Sequence, residues 1–210
     1  RTANSIGLQF DKQESAILLS HSNDLWHYTV ATGVLKRLTN NLEEELEADF
    51  SPDGKWVSFV RENNLYVVEV ARGRVKQLTR DGAKNIYNGY LVWVYEEELY
   101  GRGNKRGYWW SPDSSKIAFL RLDDSKVPPF VLANDTVTDQ VIENTPYPQP
   151  GDPNPTVRLG IADVLKSSFI PNVGGIPRVG DRLPASVRRL GDSVKFANLS
   201  DYKAEDLLIA

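Results

Sequence analysis

The sequence predicts an all-β chain, part of a β-propeller, and three observations carry that prediction. Short motifs recur at a fixed interval: Asn23-Asp24-Leu25-Trp26 returns forty positions on as Asn63-Asn64-Leu65-Tyr66, and Lys36-Arg37-Leu38-Thr39 returns as Lys76-Gln77-Leu78-Thr79. The runs between them are short, rich in β-branched and aromatic residues, and bounded by turn formers. A unit of about 40 to 45 residues holding four such runs is the pattern of a propeller blade.

Each element follows from local chemistry. Ser51-Pro52-Asp53-Gly54 suits a type I turn, because Pro presets φ at the second position and Gly closes the fourth. Phe50-Ser51-Pro52-Asp53 returns sixty positions on as Trp110-Ser111-Pro112-Asp113, where Ser114 stands in place of the Gly and predicts a less relaxed turn. Trp56–Val60 and Leu65–Val70 read as strands joined by a turn at Glu62-Asn63-Asn64, and Ile117–Leu120 repeats the second strand. Beyond Asp124, Pro128-Pro129, Pro146-Tyr147-Pro148-Gln149-Pro150 and Pro153-Asn154-Pro155 break helices and central strands. Thr156–Ile161 resumes as a strand.

The repeat units fall roughly at 1–50, 51–110 and 111–164, with an irregular insertion over 165–200 and a weak helical signal from Ser200 to Leu208. About three blades do not close a ring, since propellers typically have four to eight. The chain therefore reads as a fragment, a partial N-terminal propeller whose last residues, Leu207–Ala210, resemble the middle of a strand.

Composition excludes several functions. The net charge of −3 offers no basic face for nucleic acid. No apolar run approaches the roughly 20 residues of a membrane span, and no signal-peptide pattern follows Arg1. With no cysteine there is no disulfide or thiolate chemistry. The only histidines are His21 and His27. His27 alternates with aromatics and reads as a blade-surface residue, and neither histidine has a companion at metal-site spacing. No cofactor and no metal are expected.

The sixty-residue interval exceeds the forty-residue one by an insertion between Leu78-Thr79 and Trp110, and the insertion holds the most unusual sequence in the chain. There Glu96-Glu97-Glu98 sits among Trp93, Tyr95, Tyr100, Tyr108, Trp109 and Trp110. Aromatic side chains exclude water and strengthen any ion pair a carboxylate makes. On a short helical turn, adjacent glutamates approach one ammonium from two sides. A free peptide amine, with a pKa of about 7.7 to 8, is mostly protonated at neutral pH. From the residues alone, a ligand site and a solvated charged turn both stay open. The other triplet, Glu43-Glu44-Glu45, has no aromatic neighbours and reads as a solvated loop. Gly101-Arg102-Gly103-Asn104-Lys105-Arg106-Gly107 reads as a mobile hairpin tip beside the glutamates.

The run Asn88-Gly89-Tyr90-Leu91-Val92-Trp93-Val94-Tyr95-Glu96-Glu97-Glu98-Leu99 resembles the glutamate motif of the dipeptidyl peptidase IV family. Tyr108-Trp109-Trp110-Ser111-Pro112-Asp113 and Pro146-Tyr147-Pro148, with Gly151 and Asn154-Pro155 behind them, are similar to the family in the same order. The resemblance covers about residues 15–164. It implies an eight-bladed N-terminal propeller capping a C-terminal α/β-hydrolase domain, in a serine-type peptidase that removes dipeptides from peptide N-termini. It implies that Glu97 and Glu98 hold the substrate α-ammonium, with Glu96, Trp93 and Tyr95 in support.

The anchored amine would act as a ruler. Two extended residues span about 7 Å, so the second peptide bond is presented to the nucleophile. No Gly-x-Ser-x-Gly elbow occurs in the chain, so catalytic residues are expected elsewhere and none is assigned here. The partners implied are a peptide with a free N-terminus, the hydrolase domain and a second copy in a homodimer; the compartment implied is periplasmic or secreted. Two departures stand out: Val92 occupies a position where the family usually has Asp, and the Arg that the family often brings to a substrate carbonyl would fall near Asn40, where that contact is unassigned. The competing expectation is a non-catalytic propeller module that binds proteins.

Overall fold

The computed structural model describes residues 7–134, 141–165 and 169–170. The sequence-predicted insertion over 165–200, apart from Leu165 and Phe169–Ile170, and the helix at Ser200–Leu208 lie outside the described residues. The chain forms antiparallel sheets in sequence order. β1 (Gly7–Phe10), β2 (Ala16–His21), β3 (Asp24–Thr29) and β4 (Val34–Arg37) make the first. β5 (Leu46–Phe50), β6 (Trp56–Arg61), β7 (Asn64–Glu69) and β8 (Val75–Gln77) make the second. The third joins β10 (Tyr108–Trp110), β11 (Lys116–Asp123), β14 (Thr156–Asp163) and β15 (Phe169–Ile170), with β9 (Ile86–Asn88) also on β11. β12 (Pro129–Asn134) and β13 (Val141–Pro146) form a separate hairpin. The β-propeller architecture stands, with a π-helical turn over Tyr95–Tyr100 as its described helical element.

The repeated motifs prove to be repeated turns and ties. At Ser51–Gly54 the Gly54 N–H donates to the Ser51 carbonyl, 2.9 Å, and the Ser51 hydroxyl accepts from the Trp56 N–H, 3.0 Å. Ser111–Ser114 does the same at 2.9 and 2.9 Å, with Ser114 in the left-handed region (φ 59°) where Gly54 has φ 69°. The Ser111 hydroxyl and the Ser115 N–H hold the Asp113 carboxyl down at about 2. A third copy, not flagged in the sequence, lies forty positions before Ser51: Asp11 accepts the Ser15 and Ala16 N–H groups, and Glu14 takes φ 56°. The β2–β3 and β6–β7 loops are two-residue turns with positive φ at both positions, Ser22-Asn23 and Glu62-Asn63, the geometry that matches strand twist.

The Lys-x-Leu-Thr repeat ties one sheet to the next. Thr39 and Thr79 accept the Leu25 and Leu65 N–H groups at 2.8 and 2.9 Å. The Lys36 ammonium reaches the Val70 carbonyl of the second sheet, 2.7 Å, and Lys76 reaches Val164 of the third, 2.6 Å. Leu38 and Leu78 are buried between the sheets they connect.

Strand alternation distributes the core. Along β7, Tyr66 and Val68 belong to the cluster shared with the first sheet, and Leu65 and Val67 to the cluster shared with the third. The middle sheet is thus buried on both faces. In the third sheet Ile117 and Phe119 face the second, while Leu120 and Leu122 face the other way, toward Leu91.

One local expectation is corrected. Glu45 is not solvated with Glu43 and Glu44. It is buried, accepting the Thr39 hydroxyl and the Asn41 amide with Arg61 at 3.6 Å, and burial pushes its carboxyl up. His27, between Trp26 and Tyr28 on β3, is half-buried, and its ring meets Phe50 of the second sheet edge-on at 6.0 Å.

Candidate functional site: the glutamate loop

The insertion splits one strand into two. β9 pairs with Arg121–Asp123 and β10 with Ile117–Phe119, on the same edge of β11. Between them the chain leaves at Gly89 and returns at Gly107. The Gly107 N–H donates to the Gly89 carbonyl, 3.0 Å, and Leu120 bridges both through its own N–H and C=O, 2.8 Å each. The neck needs glycine. Gly89 has φ +78°, and a Cβ there would lie 3.2 Å from Tyr108 Cδ1; at Gly107 a Cβ would meet Leu91 Cδ2 at 2.9 Å. Everything between these residues is held at a fixed point on the third sheet.

Inside the loop the Val92 carbonyl starts the helical turn, accepting the Tyr95 and Glu96 N–H groups at 2.9 and 3.0 Å. No side chain caps the helix. Tyr95 and Tyr100 are five apart, the spacing that a π-helix closes with i→i+5 hydrogen bonds. In an α-helix five positions would turn the second ring about 140° past the first. Here both tyrosines pack on the cluster of Leu91, Leu120 and Leu122. The glutamates between them lie on the remaining surface of the turn.

The three carboxylates have different surroundings. Glu96 is buried; its Oε1 accepts the Gly103 N–H, 3.0 Å, and its Oε2 lies 3.6 Å from Lys105 Nζ. Glu96 closes the loop on itself. Partial burial pulls Lys105 down, but Tyr90 and Glu96 outweigh it and raise its pKa. Glu97 is half-buried, and both its oxygens accept from Arg102 Nε, 3.0 and 2.8 Å. Glu98 is exposed and, among the described residues, has no hydrogen-bond or ion-pair partner.

The aromatic residues come from two directions. Trp93 packs against Tyr147 at a tilt of 48° with centroids 4.3 Å apart, and Tyr147 meets Phe130 at 5.7 Å. The Tyr147 N–H donates to the Pro128 carbonyl, 3.0 Å, closing the base of the β12–β13 hairpin, and the Tyr147 ring fastens that hairpin to the motif. Tyr100 faces Trp109 at 6.1 Å.

Residues 7–193 match the family model of the dipeptidyl peptidase IV (DPP IV) N-terminal region. The chain belongs to this family. As a DPP IV N-terminal region it is 37% identical over 155 residues to a protein named as a dipeptidyl-aminopeptidase B in Talaromyces marneffei, covering 67% of this chain and 17% of that protein. It is 28% identical over 168 residues to dipeptidyl aminopeptidase B of Saccharomyces cerevisiae, covering 77% and 20%. The crystal structure of Porphyromonas gingivalis dipeptidyl peptidase 4 superposes with a TM-score of 0.67 at 28% identity, covering 80% of this chain and 25% of that one. The chain thus spans about a fifth of the length of these curated relatives.

Three features of this DPP IV N-terminal region escaped the sequence reading. Arg102 on Glu97 is one; its only signal was a basic residue five positions after an acidic one. Tyr147 under Trp93 is a second, since contact across more than fifty positions leaves no local pattern. The third is Glu47, in the left-handed region (φ 52°) where β5 shifts register. The Tyr108 hydroxyl donates to the Glu47 carbonyl, and burial raises the Glu47 carboxyl although Arg106 and Lys105 oppose it. Among the described residues no cluster of acidic groups and histidines is arranged to hold a metal ion, and no helix is long and apolar enough to cross a membrane.

Proposed function

We propose that this chain is the substrate-recognition portion of a serine-type dipeptidyl peptidase, in which Glu97 and Glu98 hold the N-terminal ammonium of a peptide. The observation that carries this reading is the partner asymmetry within one turn. Glu96 is consumed by the loop, Glu97 holds an exposed guanidinium, and Glu98 is bare. Two neighbouring carboxylates, one bare and one held only by an exposed guanidinium, form an environment for an ammonium. A peptide ammonium offers three donors to the acceptor sites of two carboxylates.

Trp93 and Tyr95 support the turn, the first through Tyr147 and the second through Leu91 and Leu120. Bond cleavage belongs to an α/β-hydrolase domain of the parent protein, and a homodimer in a periplasmic or secreted setting is part of the same proposal.

The test uses the full-length protein and matched peptides with free and N-acetylated termini. The free peptide is expected to be cleaved and the acetylated one to be a far poorer substrate. Because the carboxylates favour the charged amine, affinity holds below the amine's own pKa of about 7.7 to 8 and declines as pH rises above it. Equal cleavage of both peptides would remove the reading, and no peptidase activity at all would favour the protein-binding propeller.

A further inference from the structure

We infer that Arg102 is the site's own stand-in for the ligand ammonium, a displaceable cation that sets how tightly the glutamates take a peptide N-terminus. This rests on the reading of Glu97 as an ammonium holder. The Arg102 side chain keeps 85% of its surface exposed, whereas that of Glu97 keeps 19%. Both contacts the guanidinium makes use Nε, and both go to Glu97. Gly101 and Gly103 flank it with φ +88° and +87°, and a Cβ at either would have no atom within 4 Å. The arginine is therefore held to the protein by its ion pair, not by packing.

Glu97 and Arg102 come from the same short loop, so the pair forms without bringing distant elements together. The same geometry makes it weak. An exposed ion pair is screened by water and salt and costs side-chain entropy to hold. It neutralises Glu97 when the site is free and yields when an ammonium arrives that Glu97 and Glu98 hold together. Arg102 thereby lowers the affinity for every amine by the same factor, while leaving peptides without a free amine unaffected.

The experiment measures competitive inhibition of the full-length protein by a free-amine dipeptide at low ionic strength. Arg102→Ala is expected to tighten inhibition about two- to fivefold, the range an exposed pair spans. Arg102→Lys should stay near the unsubstituted protein, because it keeps the competing cation. The gain should shrink as salt is added, and it should vanish in a Glu97→Ala background, where Arg102 has nothing to occupy. An N-acetylated dipeptide should show no change.

Inhibition that is unchanged or weaker in Arg102→Ala overturns the inference and makes Arg102 a support of Glu97. If Glu97→Ala itself leaves dipeptide inhibition unmoved, the underlying ammonium reading fails instead. The two failures are read from different variants. Arg102 is exposed and makes no core contact, so its loss leaves the fold in place.

Discussion

Replacing both Glu97 and Glu98 by alanine in the full-length protein is expected to lower kcat/KM on free-amine peptides by on the order of 100-fold or more. Each charge-assisted hydrogen bond to an ammonium contributes about 1.5–3 kcal/mol, and a tenfold change corresponds to about 1.4 kcal/mol. The two losses combine because both carboxylates are taken from the same ammonium. Each single variant should show a smaller loss. The fold should be unaffected, since neither side chain belongs to a described hydrophobic cluster. Glu96→Ala is a poor control for this purpose, because it orphans the Gly103 N–H and frees Lys105, loosening the loop that presents the other two. Kinetics on free and acetylated peptides, with circular dichroism on each variant, check the expectation.

Gly160→Val is expected to lower stability strongly. Gly160 pairs directly with Phe119 across β14 and β11. A Cβ at position 160 would lie 2.5 Å from Phe119 Cζ and 2.7 Å from Cε1. The ring cannot retreat freely, because Phe119 is 1% exposed in a cluster with Tyr108, Ile117 and Ala162. Overpacking of this kind costs typically 1–3 kcal/mol and occasionally more, and a valine adds two further methyl groups to the clash. A loss of about 3 kcal/mol should appear as a lower denaturant midpoint with an unchanged slope. Combining Gly160→Ala with Phe119→Leu should recover part of the cost of Gly160→Ala. Strict additivity of the two substitutions would mean the ring does not lie where its clash demands.

These two results depend on information of different kinds. Glu97 and Glu98 stand out in the sequence as candidates because the motif is contiguous: three carboxylates, the aromatics around them and the Trp-Trp-Ser-Pro strand all lie within one short segment. The sheets were legible for the same reason, since a hairpin turn such as Glu62-Asn63 and a strand such as Leu65-Tyr66-Val67-Val68 are local patterns. The Asp11 turn was missed because Asp replaces Ser as the acceptor and neither Pro nor Gly marks it, although the hydrogen bonds are equivalent.

Gly160 under Phe119 and Tyr147 under Trp93 depend on strand register and on where an excursion returns, which no window of sequence contains. Glu45 was misread for a related reason. In Glu43-Glu44-Glu45 composition is uniform but burial is not, and only the position of Thr39 and Arg61 decides which carboxylate turns inward. The glutamate loop itself combines both lessons. Its chemistry is local, but its placement relies on Gly89 and Gly107 meeting across the neck with Leu120 from the next strand between them.

A structure of the full-length protein with a bound peptide is the most direct test of ammonium binding by the carboxylates of Glu97 and Glu98. The terminal nitrogen is expected within about 2.7–3.2 Å of oxygens from both residues. A terminal nitrogen seated elsewhere, with Glu98 still bare in solvent, contradicts it.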